Sequence, residues 1–163
     1  MTNQIENYIA RYGKLHPAII NKMQKFFKHF DLGKVKIKLV SPSWGKLSGR
    51  GGPTAAFVIG GTFYIMRGAI NRRGLIRGNS WDLSVPVGFA TVAHEIFHVY
   101  QYKRDGFFKF SMNFFAGLFR SITKSKMLYD HKYFVWEQEA IKFDTMVKAA
   151  VKNEDLSCFV ELR

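Results

Sequence analysis

Two histidines four residues apart, with a glutamate directly after the first, are the residues here best placed to do chemistry. They are His94, Glu95 and His98, in the string T-V-A-H-E-I-F-H-V-Y-Q. Positions four apart lie on one face of an α-helix, so both imidazoles can address one metal ion. Glu95 is rotated about 100° from His94. It therefore stands beside the metal, where it can take a proton from a metal-bound water. The pattern is a zinc-site signature when a helix carries it and a third ligand lies elsewhere.

A catalytic zinc usually has three protein ligands and one position for water. The downstream run Y-F-V-W-E-Q-E-A-I-K-F-D, from Tyr133 to Asp144, has helical spacing and offers Glu137 and Glu139. These two cannot share a helix face. Ala140 lies close to the face of Glu137 and is small enough for a second helix to approach. Asp144 returns to that face two turns on, where it could accept a hydrogen bond from the Nδ1–H of a ligating imidazole. Glu137 is therefore the expected third ligand, with Glu139, facing solvent or a basic partner, and His131 as the alternatives. Gln101 shares the face of the two histidines and is a candidate for a polar contact to the metal site or to substrate. Tyr100, Tyr102, Tyr129, Tyr133 and His131 are candidate donors to a developing oxyanion. Their spacing does not choose among them.

His94-Glu-x-x-His98 followed by Glu137-x-x-Ala140 resembles the gluzincin-type zinc metallopeptidases. More narrowly, H-E-I-F-H-V-Y-Q-Y with W-E-Q-E-A resembles the small peptidase-like domain of extracellular contractile injection system core proteins and related bacterial stand-alone proteins. The likeness covers roughly residues 35–151. It implies Zn2+ held by His94, His98 and Glu137, Glu95 as the general base, and hydrolysis of a polypeptide substrate by a zinc-bound water. It also implies that one strand near the HExxH helix pairs with extended substrate. Several gluzincins carry Asp or Asn after the Ala, where this chain has Ile141. The resemblance also admits a zinc-binding protein that cleaves nothing and serves as a structural or cargo part of a phage-like or injection particle. Proteases of the SprT type, which act on nucleic-acid-associated proteins, would suit the basic charge. They supply a third His soon after HExxH, and here no His lies between His98 and His131.

The elements that must position these residues follow from pattern. At 163 residues one domain is expected, with residues 1–33 as a helical segment that is either part of it or an appendage. That segment reads as two helices broken near Gly13, the second starting at His16-Pro17 with an apolar stripe through Ile19, Ile20, Met23, Phe26, Phe27 and Phe30, and Gly33 as its C-cap. Val35, Ile37 and Leu39 alternate with lysines as a half-exposed strand. Ala55–Ile59 and Thr62–Met66 form a hairpin around Gly60-Gly61. The intervening Gly- and Ser-rich loop has no phosphate-cradling motif, and Arg67–Arg77 reads as a basic loop. Asp82 or Ser84 caps the HExxH helix, with Pro86 in its first turn, and that helix stops before Gly106. A further helix over Phe107–Ile122 is Phe-rich and flanked by Lys and Arg. It packs in the core over the cleft or lies on a membrane. The expected fold is α+β: a small zincin-like domain with a short twisted β element on two long helices, one bearing HExxH and one bearing Glu137.

Twenty-five Lys and Arg against twelve Asp and Glu give a net charge of +13. Between Tyr8 and Trp81 a single acid, Asp31, faces fourteen basic residues. Such a field favours polyanions, either nucleic acid or an anionic membrane surface. One cysteine, Cys158, excludes an intrachain disulfide. No apolar run is long enough to span a membrane and the N-terminus lacks a signal-peptide pattern. The expectation is a protein cytoplasmic as synthesised, particle-associated or exported without a cleaved leader.

Overall fold

The computed structural model describes residues 3–41, 56–70, 81–125 and 131–162. They form an α+β arrangement in the order α1 (Gln4–Tyr12), α2 (Pro17–Met23), β1 (Lys36–Val40), β2 (Ala56–Ile59), β3 (Thr62–Met66), α3 (Pro86–Ser125), α4 (Val135–Ala150) and α5 (Cys158–Glu161).

The N-terminal segment breaks where its residues require it. Asn3 caps α1 by accepting from the Glu6 amide, and Gly13 ends it at φ 63°, a left-handed conformation that suits glycine. His16 caps α2 through Nδ1, and Pro17 opens the first turn. The apolar stripe continues in sequence to Phe30, but α2 ends at Met23. Gln24 is the reason: its amide donates to the carbonyls of Phe27 and Phe30, and its oxygen accepts from the Leu32 amide. One side chain thus folds the next eight residues into tight turns. Gly33 is not a C-cap but lies in a 3-10 turn, Leu32–Lys34, that Asp31 caps. Ile5 and Ile9 of α1 and Ile19 and Met23 of α2 join the same buried cluster as Phe63, Ile65, Phe89 and Phe159.

The sheet runs in the order β1-β3-β2, with β1 parallel and β2 antiparallel to β3. Ile37 is buried while Lys36 and Lys38 face out, so the lysine-faced strand is an edge strand as its alternation predicts. Gly60 and Gly61 turn the hairpin with φ of 59° and 71°. An ideal Cβ on Gly61 would stand 3.0 Å from the Tyr102 ring, so the hairpin tip sits directly on α3.

Before α3, Asp82 is buried and its carboxylate accepts from the amide and hydroxyl of Ser84. Pro86 opens the helix. Phe89, Ala93, Ile96 and Val99 recur at helical spacing and are fully buried, which fixes the rotation of α3 about its axis. Gly106, at φ 74° and ψ 168°, kinks α3 into an arm over residues 86–105 and an arm over residues 107–125. The first therefore ends before Gly106, where the sequence places its end. Buried Ala140 lies on α4, the helix that packs most extensively on α3, and Phe97 stacks on Phe143 at 4.3 Å.

The second arm corrects one of the two expectations for it. Phe110 and Phe114 do turn to α4 and the residue before it, against Trp136 and Phe134, and Gly117 lets the Phe134 ring approach. Phe107, Phe108, Met112, Phe115 and Phe119 are exposed, so these residues are not core. The helix needs only a narrow strip, Phe110, Gly117 and Ser121, to sit on α4, and the rest of its apolar width is left outside. No helix among the described residues is long and apolar enough to cross a membrane.

Candidate metal centre

His94 and His98 project from the middle of the first arm of α3, where burial of its other face leaves them aimed at the first turn of α4. Their rings stand at 88° to each other with centroids 4.8 Å apart, and the two Nε2 atoms are 3.1 Å apart. Glu137 enters from α4. Its Oε2 is 3.7 Å from His94 Nε2 and its Oε1 is 3.6 Å from His98 Nε2. All three side chains are largely shielded, at 13–18% exposed. The three donor groups converge within 4.8 Å of one another. Glu137, not Glu139, is the carboxylate that reaches the histidines.

Behind His98 the hydrogen bonds settle a tautomer. Gln101 is fully buried, and its Nε2 donates to the Trp136 carbonyl at 3.0 Å and to Glu139 Oε2 at 2.9 Å. Both partners can only accept, which turns the amide oxygen toward His98. That oxygen lies 2.8 Å from Nδ1, so Nδ1 carries the proton and Nε2 keeps its lone pair toward Glu137 and His94. Glu139 continues the chain: Arg104 donates to it at 3.0 Å and grips Asp105 with two hydrogen bonds. Lys109 closes on Asp105 from across the Gly106 kink. Arg104, with Lys109, holds the Asp105 carboxyl down to about 2, against the opposing effect of its burial.

Burial of the His94 ring works against its protonation, but the carboxylates of Glu137, Glu95 and Asp144 outweigh it and raise the imidazole above its ordinary value. Glu95 is half-buried and close enough to act on His94 electrostatically. Asp144 acts on His94 as a nearby negative charge and makes no hydrogen bond to it. The acceptor behind a histidine is instead Gln101, on the histidines' own helix. Tyr133 lies under Lys132 Nζ, and Tyr100 packs against Phe30 and Phe97. Among the described residues Tyr100, Tyr102 and Tyr133 make no hydrogen bond to the three converging groups. Tyr129 and the His131 side chain lie outside the described residues.

Sequence reasoning missed the part played by Glu139 and the Trp136 carbonyl in orienting Gln101. The available signal was Arg104, three residues after Gln101 and on the side from which Glu139 approaches. A separate cavity of about 500 Å³ is lined by Phe27, Phe30, Phe97, Tyr100 and Phe143 and by none of the three converging residues. Comparison with family models, with curated proteins and with solved structures yields no match.

Proposed function

We propose that this chain is a zinc-dependent metallopeptidase. The observation that carries the reading is the convergence of His94, His98 and Glu137 with Glu95 beside them. Zinc bonds to N and O donors at about 2.0–2.1 Å in a tetrahedron, which sets donors about 3.3 Å apart. The separations here are 3.1, 3.6 and 3.7 Å, so the group fits with little rearrangement. Two imidazoles and one carboxylate are also the donor set of open, hydrolytic zinc sites.

Zinc held by these residues would polarise a scissile carbonyl and bring the pKa of a water molecule to about 7. Glu95, beside His94, would serve as the base that takes a proton from that water and returns it to the leaving amine. Gln101 holds His98 with its lone pair forward, so no proton has to leave Nε2 when metal is bound. Extended substrate would pair along β2, the outer strand of the hairpin, which packs on α3.

Two measurements test this together. Elemental analysis should find close to one zinc per chain, and His98→Ala should lose most of it. Glu95→Gln keeps size and fold but removes the base; it should retain zinc and slow cleavage of unfolded protein by roughly 100-fold or more. Zinc binding without cleavage of unfolded protein or peptide libraries, unchanged by Glu95→Gln, would make the chain a zinc-binding module with no peptidase activity.

A further inference from the structure

The second arm of α3, residues 107–125, turns an apolar face to solvent. Phe108, Met112, Phe115, Phe119 and Ile122 follow one another at steps of four, three, four and three, which puts them on one side of the helix. They are between 48% and 76% exposed. The opposite side, with Phe110, Gly117 and Ser121, is the one that meets the body of the protein. One exposed Phe needs no explanation, but a row of five large apolar side chains over four turns does. The charged residues of the arm are Lys109, Arg120 and Lys124, and it contains no acid. Lys109 and Arg120 lie on the flank of the stripe. Arg120 and Lys124 are exposed and have no acidic partner among the described residues.

We propose that this arm is an interfacial helix that docks the protein on an anionic lipid bilayer. Phe108, Met112, Phe115, Phe119 and Ile122 enter the boundary between headgroups and acyl chains, while Arg120 and Lys124 meet lipid phosphates. Charge complementarity selects this occupant. A net charge of +13 and an acid-free arm match an acidic headgroup layer. A second copy of the chain would match the stripe but bring +13 against +13. Nucleic acid would match the charge but leave Met112 and Ile122 without an apolar partner. The arm is charged on one flank and packed on α4 on another, so it lies in the membrane plane and does not cross it.

The test is co-sedimentation of the full chain with vesicles of phosphatidylcholine alone and with about 30 mol% phosphatidylglycerol, at about 50 mM salt. Wild type should sediment with the anionic vesicles and bind the neutral ones at least about tenfold more weakly. Phe115→Ser with Phe119→Ser should weaken binding to anionic vesicles at least about tenfold, with an unchanged melting temperature because both rings are already in solvent. Arg120→Glu with Lys124→Glu should reduce the preference for anionic lipid several-fold. The proposal is overturned if wild type stays in the supernatant, or if the Phe pair can be replaced without loss. It is also overturned by a concentration-dependent dimer that the Phe substitutions dissolve while vesicles go unbound, or by duplex DNA binding tighter than vesicles and indifferent to the Phe pair. The assay needs no metal, so its failure is separate from failure of the peptidase reading.

Discussion

Glu137 and Glu139 stand two positions apart on α4 and have opposite employments, so exchanging each carboxylate for an amide separates them. Glu137→Gln should release most of the zinc, because the carboxylate facing both Nε2 atoms is gone. Glu139→Gln should keep it and cost at most about 1 kcal/mol of stability, since Glu139 and its partner Arg104 are 38% and 35% exposed and water screens the pair. The reverse pattern in elemental analysis would make Glu139 the ligand. Gln101→Ala should weaken zinc binding roughly 10–100-fold, the usual scale for losing the group that orients a ligating histidine, and isothermal titration against wild type measures it. Spacing made His94, Glu95 and His98 legible as one group and favoured Glu137 while leaving Glu139 and His131 open, because each belongs to a helix whose face is fixed by its own sequence. The acceptor role of Gln101 was legible only as a shared face. Which way its amide points depends on the Trp136 carbonyl and Glu139, both supplied by a helix 35 or more residues away. Asp144 returns to the expected face but stops at electrostatic range, a distance that periodicity does not encode.

The helices place these groups, and the most sensitive point in their placement is Gly88, two turns before His94. A methyl there would stand 2.1 Å from the Asp82 carbonyl oxygen and 2.6 Å from its carbon. Neither atom is the end of a flexible side chain, so Gly88→Ala must push the start of α3 off the Asp82–Ser84 turn. We expect a loss of about 1–3 kcal/mol or more, read as a lower denaturation midpoint at unchanged slope. Gly106→Ala is the contrast: nothing lies within 4 Å, so the cost is backbone strain at φ 74°, again about 1–3 kcal/mol, with the kink itself at risk. Equal stability of Gly88→Ala and wild type would mean that α3 is not anchored at Asp82. Helix starts at Pro17 and Pro86, the hairpin at Gly60-Gly61 and the break at Gly106 could all be read from sequence, because Pro and Gly act locally. The early end of α2 could not, since a single long-range-capable side chain, Gln24, diverts the stripe. Nor could the exposure of the Phe-rich arm. An amphipathic pattern says which residues share a face, and only the neighbouring helix decides which face is covered.

At the scale of the whole molecule, folding, proton binding and the proposed metal binding meet in His94. Without metal its imidazole is raised above its ordinary value of 6.5 by Glu137, Glu95 and Asp144 acting against its burial. A raised folded-state value means that the protonated ring stabilises the fold. That contribution is complete below about pH 6.5 and is lost as pH rises through the folded value. Zinc binding has the opposite slope, because a ligating imidazole must be neutral and protons compete with the metal for the same lone pair. Bound zinc would also neutralise the carboxylate cluster that otherwise calls for a proton. The two slopes should therefore diverge across neutrality. With chelator present the melting temperature should drift down from pH 6 to pH 8 as the imidazolium is lost. With free zinc at about a hundred times its dissociation constant at pH 8, the folded state should gain about 2.7 kcal/mol, and the gain should shrink as pH falls toward 6. Thermal unfolding with zinc and with chelator, at half-unit steps of pH, reads the gap directly. A gap that stays constant or widens on acidification would mean that zinc does not bind through His94, while His94→Asn should flatten the chelated profile and close most of the gap at pH 8.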